Sequence, residues 1–261
     1  MNQVPPTLEK IEKSFQDKAG LTELNARTWR VRVESEDWVV KFGQRAAVET
    51  AQKNNRLVEA VGLPTVAHHT ITPLNGLAIP DKARAHAPPD ALTLMPFVPA
   101  YPCDKTWKEM PPRKISEFCW HTLQYIPQVS LACLHDFAHR NVLCVRQKLE
   151  PVFVDMEAGF FSDPKFYSGR DDRSMLVQSH GYLRKSAALY FSHTLGDKKD
   201  RRERFTLLML NGCDMLDKKI NDPESPLMTA FGEHKDYFLR RVGSMREALT
   251  DPNLNALIFN D

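Results

Sequence analysis

Apolar and polar residues alternate from Thr28 to Val33, through ThrTrpArgValArgVal, and after an acidic turn at Glu34 to Asp37 the run TrpValValLysPheGly extends from Trp38 to Gly43. A period of two buries one face of a strand, so the segment predicts an antiparallel hairpin. The period then changes. Ala47, Ala51, Val58 and Val61 stand at helical spacing between Arg45 and Val61, and Gly62 with Pro64 beyond it forms a usual helix stop. The chain is thereby expected to open with a strand, a strand and a helix. Residues 71–90 are rich in turn formers and poor in pattern. Leu92 to Pro99 then reads as a buried strand broken by two prolines. A boundary placed here separates an N-lobe over 1–97 from a C-lobe over 98–261. Ile115 to Leu134 is helical in pattern but interrupted by Pro127, and the short β-rich runs Val142 to Val145 and Val152 to Val154 flank a charged turn and predict a second hairpin. From about 165 to 261 the pattern is helical, so the fold class expected is α+β.

The 261 residues are enough for one large domain or two lobes. Thirty-five Lys and Arg against 33 Asp and Glu leave a net charge of +2, which gives no global field for nucleic acid. Five cysteines, an odd number with no CxxC pair, argue against a disulfide framework or zinc ribbon. They read as free, mostly buried thiols in a reducing compartment. With no apolar leader core at the start and no run long enough to span a bilayer, the expectation is a soluble, cytoplasmic protein.

Phosphoryl transfer from ATP needs a cation on the nucleotide phosphates, a base for the acceptor hydroxyl and oxygen ligands for magnesium. Lys41 lies in a buried-type strand, where an isolated ammonium is costly unless it meets a carboxylate or phosphate. Glu49 on the following helix, or Glu59 as the second choice, can orient it. Asp136 and Asn141 are five residues apart on a loop, and Asp155 follows fourteen residues later at a strand end. That order casts Asp136 as base, and Asn141 with Asp155 as magnesium ligands across one hairpin.

These residues resemble the protein-kinase-like superfamily. HisAspPheAlaHisArgAsnValLeu looks like its HxDxxxxN catalytic loop, and ValPheValAspMetGluAla like the metal-binding strand end of its small-molecule kinases. TrpValValLysPhe resembles the nucleotide-lysine strand, GlyLeuProThr the turn after the lysine-partner helix, and LeuThrLeuMetProPheVal the strand leading to the adenine hinge. The AspPheAla..ArgAsnValLeu form, with AspAspArgSerMetLeuValGlnSer at 171–179 and AspArgArgGluArgPhe at 200–205, is most similar to the small lipopolysaccharide core kinases acting on Kdo or heptose. Aminoglycoside and choline phosphotransferases share the first motifs and less of the tail. The resemblance implies a bilobal fold with ATP between the lobes, its adenine near Met95, Phe97 and Val98, and Mg2+ as the metal. It also implies a sugar or lipid-linked sugar acceptor, with a protein Ser/Thr or a small alcohol as alternatives.

Two features depart from the family pattern. No GxGxxG loop precedes the first hairpin, and Leu134 stands where the loop histidine is usual, with His135 shifted by one. Glu157 is either a second metal ligand or a hydrogen-bonded loop carboxylate. A rival reading takes Leu131 to His139 as the metal-binding helix of an HD-domain phosphohydrolase, which requires helix through His139. A zincin fits less well, since HisAspPheAlaHis has Asp where the general-base Glu belongs. A pseudokinase rests only on the missing glycine loop. The basic run Lys198 to Arg204 reads either as a solvated helix face or as a docking surface for anionic sugar or the inner membrane's cytoplasmic face.

Overall fold

A computed structural model describes residues 4–17, 20–74, 77, 79–84, 88–102, 110–134, 137–138, 141–145, 148–155, 158–162 and 171–259. The chain is α+β and forms two compact units, one from residues 1–55 and 66–99, the other from 56–65 and 100–261. No helix among the described residues is long and apolar enough to cross a membrane.

The first unit holds α1 (Leu8–Asp17), β1 (Thr22–Asn25), β2 (Thr28–Val33), β3 (Glu36–Gly43), the first part of α2 (Arg45–Val61), β4 (His69–Ile71), the single turn α3 (Asp81–Arg84) and β5 (Ala91–Pro96). The strands form one antiparallel sheet in the order β1-β2-β3-β5-β4. Alternation explains its core: Trp29, Val31 and Val33 of β2, Trp38, Val40 and Phe42 of β3, and Leu92 and Leu94 of β5 are all buried on one face. Ile11 and Phe15 of α1 close that face, with the Phe15 and Phe42 rings 5.7 Å apart.

Here the structure corrects the expected opening, because α1 and β1 precede the hairpin. Leu8, Ile11 and Phe15 mark the inner face of α1, whereas all four residues of β1 are exposed and carry no alternation. The hairpin turn is also tighter than expected. Glu36 already pairs with Val33, so only Glu34 and Ser35 turn the chain, with Glu34 at φ 58.

The second unit contains β6 (Tyr101–Pro102), α4 (Pro112–Leu123), α5 (Ile126–Leu131), β7 (Val142–Val145) and β8 (Glu150–Phe153). Beyond them come α6 (Asp172–Tyr190), α7 (Lys198–Asn221), α8 (Pro226–Phe231), α9 (Lys235–Thr250) and α10 (Pro252–Ile258). Pro127 starts α5 rather than interrupting one long helix; in the first turn its missing N–H has no intrahelical partner to lose. Strand β8 begins at Glu150, which pairs with Val145, and ends at Phe153, so Val154 lies just beyond it. The two-residue β6, pairing with β7, has no counterpart in the sequence pattern.

One large core unites these elements, and it includes Leu57, Val58 and Val61 from the last part of α2. Cys119, Cys133, Cys144 and Cys213 are free and buried, and burial pushes the Cys119 and Cys213 thiols up to about 12. Since the thiolate is the nucleophile, they should be inert while the chain is folded. Of the five cysteines, no more than one, Cys103, should react promptly with a thiol reagent before denaturant is added, and all five afterwards. Prompt native reaction of two or more would show that the helical core opens readily.

Candidate functional site

Lys41 sits on β3, the middle strand of its sheet, with side-chain direction opposite to the buried Val40 and Phe42. Cross-strand pairing sets it in a row of threonines, with Thr28 on β2 and Thr93 on β5 directly beside it and Thr70 on β4 beyond Thr93. Thr28 and Thr93 are buried and Lys41 is half-buried. A cation on this polar row keeps its ammonium off the apolar core, so the strand period itself turns it outward. The start of α2 covers the same face at Gly43, where a Cβ would meet Val48 Cγ2 at 3.1 Å. Glu49, beside Val48 on that helix, is exposed; Glu59 is exposed and belongs to the other unit.

The segment carrying Met95, Phe97 and Val98 leaves the sheet from β5. Met95 is buried and pairs with Val39, and Phe97 N–H donates to the Asp37 carbonyl at 2.9 Å. The Arg30 guanidinium lies 4.2 Å over the Phe97 ring and also pairs with Asp37. Arg32 donates to Asp37 at 3.0 Å, and the hydrogen bonds from Arg32 and Arg30 hold the Asp37 carboxyl below the usual carboxylate range. The ring and amide of Phe97 are therefore committed to the sheet. Val98, next along the segment, is half-buried.

In the second unit Asn141 and Asp155 flank the open end of the β7–β8 hairpin. Val142 pairs with Phe153, and one step further out Val154 N–H donates to the Asn141 carbonyl at 2.9 Å. Asn141 is buried, 4 % exposed, while Asp155 is exposed at the strand end with φ 59. Left-handed backbone suits a short polar side chain and turns the chain sharply there. An amide oxygen and a carboxylate are the hard oxygen donors that magnesium takes, so the pair fits that ion by donor chemistry. Among the described residues no three His, Cys, Asp or Glu side chains group as a metal centre.

Asp136 lies outside the described residues, as do His135 and Glu157. Its surroundings are well anchored. Leu134 and Phe137 are buried, and the Phe137 ring stacks on Phe153 with centroids 6.2 Å apart and lies 5.8 Å from Tyr190. Phe153 ends β8 two residues before Asp155, so this packing ties Phe137 to the strand that leads to the carboxylate. Leu134 fills a core position.

Three supporting residues were not singled out from the sequence. Thr65, in the GlyLeuProThr turn, donates its hydroxyl to the Phe153 carbonyl at 2.9 Å, and Phe153 N–H donates to Pro64 O at 2.8 Å, so the turn after α2 pins β8. Phe153 itself is the hub of the aromatic stack. Arg241 on α9 is fully buried and donates to Ser130 O at 3.2 Å and to Gln178 Oε1 at 2.8 Å, fastening the end of α5 just before the loop. Of the three, only Thr65 had a sequence signal, its place in that turn.

The structure removes the HD-domain alternative. Helix α5 ends at Leu131, Cys133 takes φ 51, and Leu134, Phe137 and Ala138 are not helical, so the continuous helix that reading requires is broken before it. The basic run also changes character. Arg201 lies 4.8 Å over Phe191, Arg202 5.1 Å over Phe259 and Arg204 4.3 Å over Trp120, so aromatic rings hold all three guanidiniums. Lys198, Lys199 and Arg204 are exposed, whereas Arg201 and Arg202 are half-buried.

Comparison with known proteins yields little at sequence level: no family model and no curated protein matches the chain. Among solved structures, the chain is similar to the Helicobacter pylori proinflammatory kinase CtkA, at 12 % identity and a TM-score of 0.42, over 90 % of this chain and 95 % of that one.

Proposed function

We propose that the protein is an ATP-dependent phosphotransferase with an alcohol as acceptor, of the protein-kinase-like type. The observation that carries this reading is the hairpin: Val154, next to Asp155, donates its N–H to the Asn141 carbonyl, and Phe137, next in sequence to Asp136, packs on Phe153 of the same hairpin. Lys41 binds and neutralises the nucleotide phosphates, and Glu49 orients it. The Met95 to Val98 segment holds the adenine by its backbone. Magnesium, carried by Asn141 and Asp155, supplies charge neutralisation on the phosphates. Asp136 accepts the proton of the acceptor hydroxyl as its oxygen bonds to the γ-phosphorus and ADP leaves with the bridging oxygen. Positioning and charge supply most of the rate, since the loose transition state needs no covalent help from the chain.

The acceptor class we propose is a sugar hydroxyl of the lipopolysaccharide inner core, from the resemblance of the catalytic loop and of the 171–179 and 200–205 segments. A lipid-linked acceptor fits a cytoplasmic enzyme touching the inner face of the membrane, where Lys198 and Lys199 would meet anionic headgroups. The test is transfer of labelled γ-phosphate from ATP, with magnesium, to isolated inner-core lipopolysaccharide, to a bulk protein mixture, and to choline and an aminoglycoside. Label in the core sugar alone is the expected result. Label only in protein or in a small alcohol keeps the reaction and rejects the sugar, whereas no transfer to any of them rejects the phosphotransferase.

A further inference from the structure

A groove of about 360 Å³ opens on the second unit, on a side its proposed chemistry does not use. Arg113, Glu117, Trp120 and His121 of α4 form one wall, at the three- and four-residue spacing that puts them on a single helix face. Arg204 of α7 and Leu195, in the connection before it, form the other. Arg204 is not loose: its guanidinium lies 4.3 Å over the Trp120 ring, which fixes its plane. Leu195 is held in place by its N–H, which donates to the Ser116 hydroxyl at 2.9 Å, yet its side chain is 55 % exposed. His121 Nδ1 lies 3.0 Å from the Leu149 carbonyl, and since a carbonyl only accepts, Nδ1 carries the proton and Nε2 is the ring's remaining polar atom. Leu149 belongs to the β7–β8 turn, so this groove lies at the end of the hairpin opposite Asn141 and Asp155.

We propose that the groove is a binding site for a phosphate monoester with a small apolar organic part. Two guanidiniums against one carboxylate favour an anion, and their forked donors match a phosphate's oxygens. The volume is in the range of small-ligand pockets and well above what phosphate alone fills. The organic part lies on Leu195 and beside Trp120, where an exposed leucine otherwise faces water. Glu117 is four residues from Arg113 and opposes the anion, which gives the proposal its most discriminating variant.

The experiment is calorimetric titration of the full chain with phenyl phosphate, inorganic phosphate and phenol. Phenyl phosphate should bind saturably and more tightly than inorganic phosphate, and phenol should not bind. Arg113→Gln and Arg204→Gln should each weaken it about tenfold, the scale of a lost hydrogen bond to a charged group. Glu117→Gln should tighten it by about two- to fivefold, as expected for removing one exposed opposing charge. Lys41→Met should leave it unchanged, which separates this site from the nucleotide phosphates. Absence of saturable binding, or binding indifferent to all three groove variants, overturns the proposal. Inorganic phosphate binding as tightly as the ester overturns it too, because the organic part then contributes nothing.

Discussion

Asp155→Asn should lower magnesium-dependent phosphoryl transfer by at least about a hundredfold, because loss of a mere outer-shell partner of a metal ligand already costs about 10–100-fold. The substitution keeps the side-chain size and removes the charge. It is also the variant the backbone tolerates, since Asp155 sits at φ 59 and Asn, like Asp, enters the left-handed region at little cost. Alanine there would add about 1–2 kcal/mol of strain and blur the reading. Asp155 is exposed and packs no core, so thermal stability should change by no more than about 0.5 kcal/mol. The measurements are nucleotide affinity with and without magnesium, turnover, and melting temperature. A folded Asn variant whose nucleotide affinity still rises with magnesium as in the wild type would remove Asp155 from the metal site.

What the sequence made legible follows from which elements bury a face. Strands β2 and β3 alternate because Trp29, Val31, Trp38, Val40 and Phe42 share one core; α2 shows its helical period because Leu57, Val58 and Val61 bury one face in the other core, and its stop because Gly62 takes φ 91. Strand β1 is illegible because none of its residues is buried: it is held by pairing to β2 and by the Lys82–Glu23 ion pair, and neither leaves a hydrophobic period. Strand β6 is two residues long and exists through its contacts with Cys144 and Leu143, far along the chain. Helix α1 is the instructive omission, since Leu8, Ile11 and Phe15 did carry its signal over a short span.

The candidate site divides the same way. Residue types and order single out Lys41, Asn141 and Asp155, because their chemistry is written in single letters. What holds them is not. The Phe137–Phe153 stack, the Thr65 hydroxyl on Phe153 O and the buried Arg241 beneath α5 are long-range contacts, joining residues 88 and 111 apart in two of the cases. The basic run was misleading for the same reason: three of its arginines rest on Phe191, Phe259 and Trp120, and two of those rings are distant in sequence. A charge count along the chain sees cations, whereas the fold uses most of them as packing.

Asp136→Asn should keep nucleotide binding and lose turnover by about two to four orders of magnitude, the usual contribution of a positioned general base. An amide of the same shape cannot take the acceptor's proton, so the loss falls on the chemical step and not on ATP affinity. The fold should survive the change, because Leu134 and Phe137 on either side of Asp136 are buried apolar residues that the substitution leaves in place. Rapid mixing with labelled ATP and the acceptor identified by the transfer screen would give turnover, and calorimetry with magnesium and nucleotide would give affinity. Comparison with Asp155→Asn separates the roles: that variant should fail at magnesium-dependent binding, and Asp136→Asn only at transfer. If Asp136→Asn turned over within tenfold of the wild type, proton removal would have to be assigned to another group. If it lost nucleotide binding as completely as the Asp155 variant, Asp136 would be a metal ligand and the base would lie elsewhere.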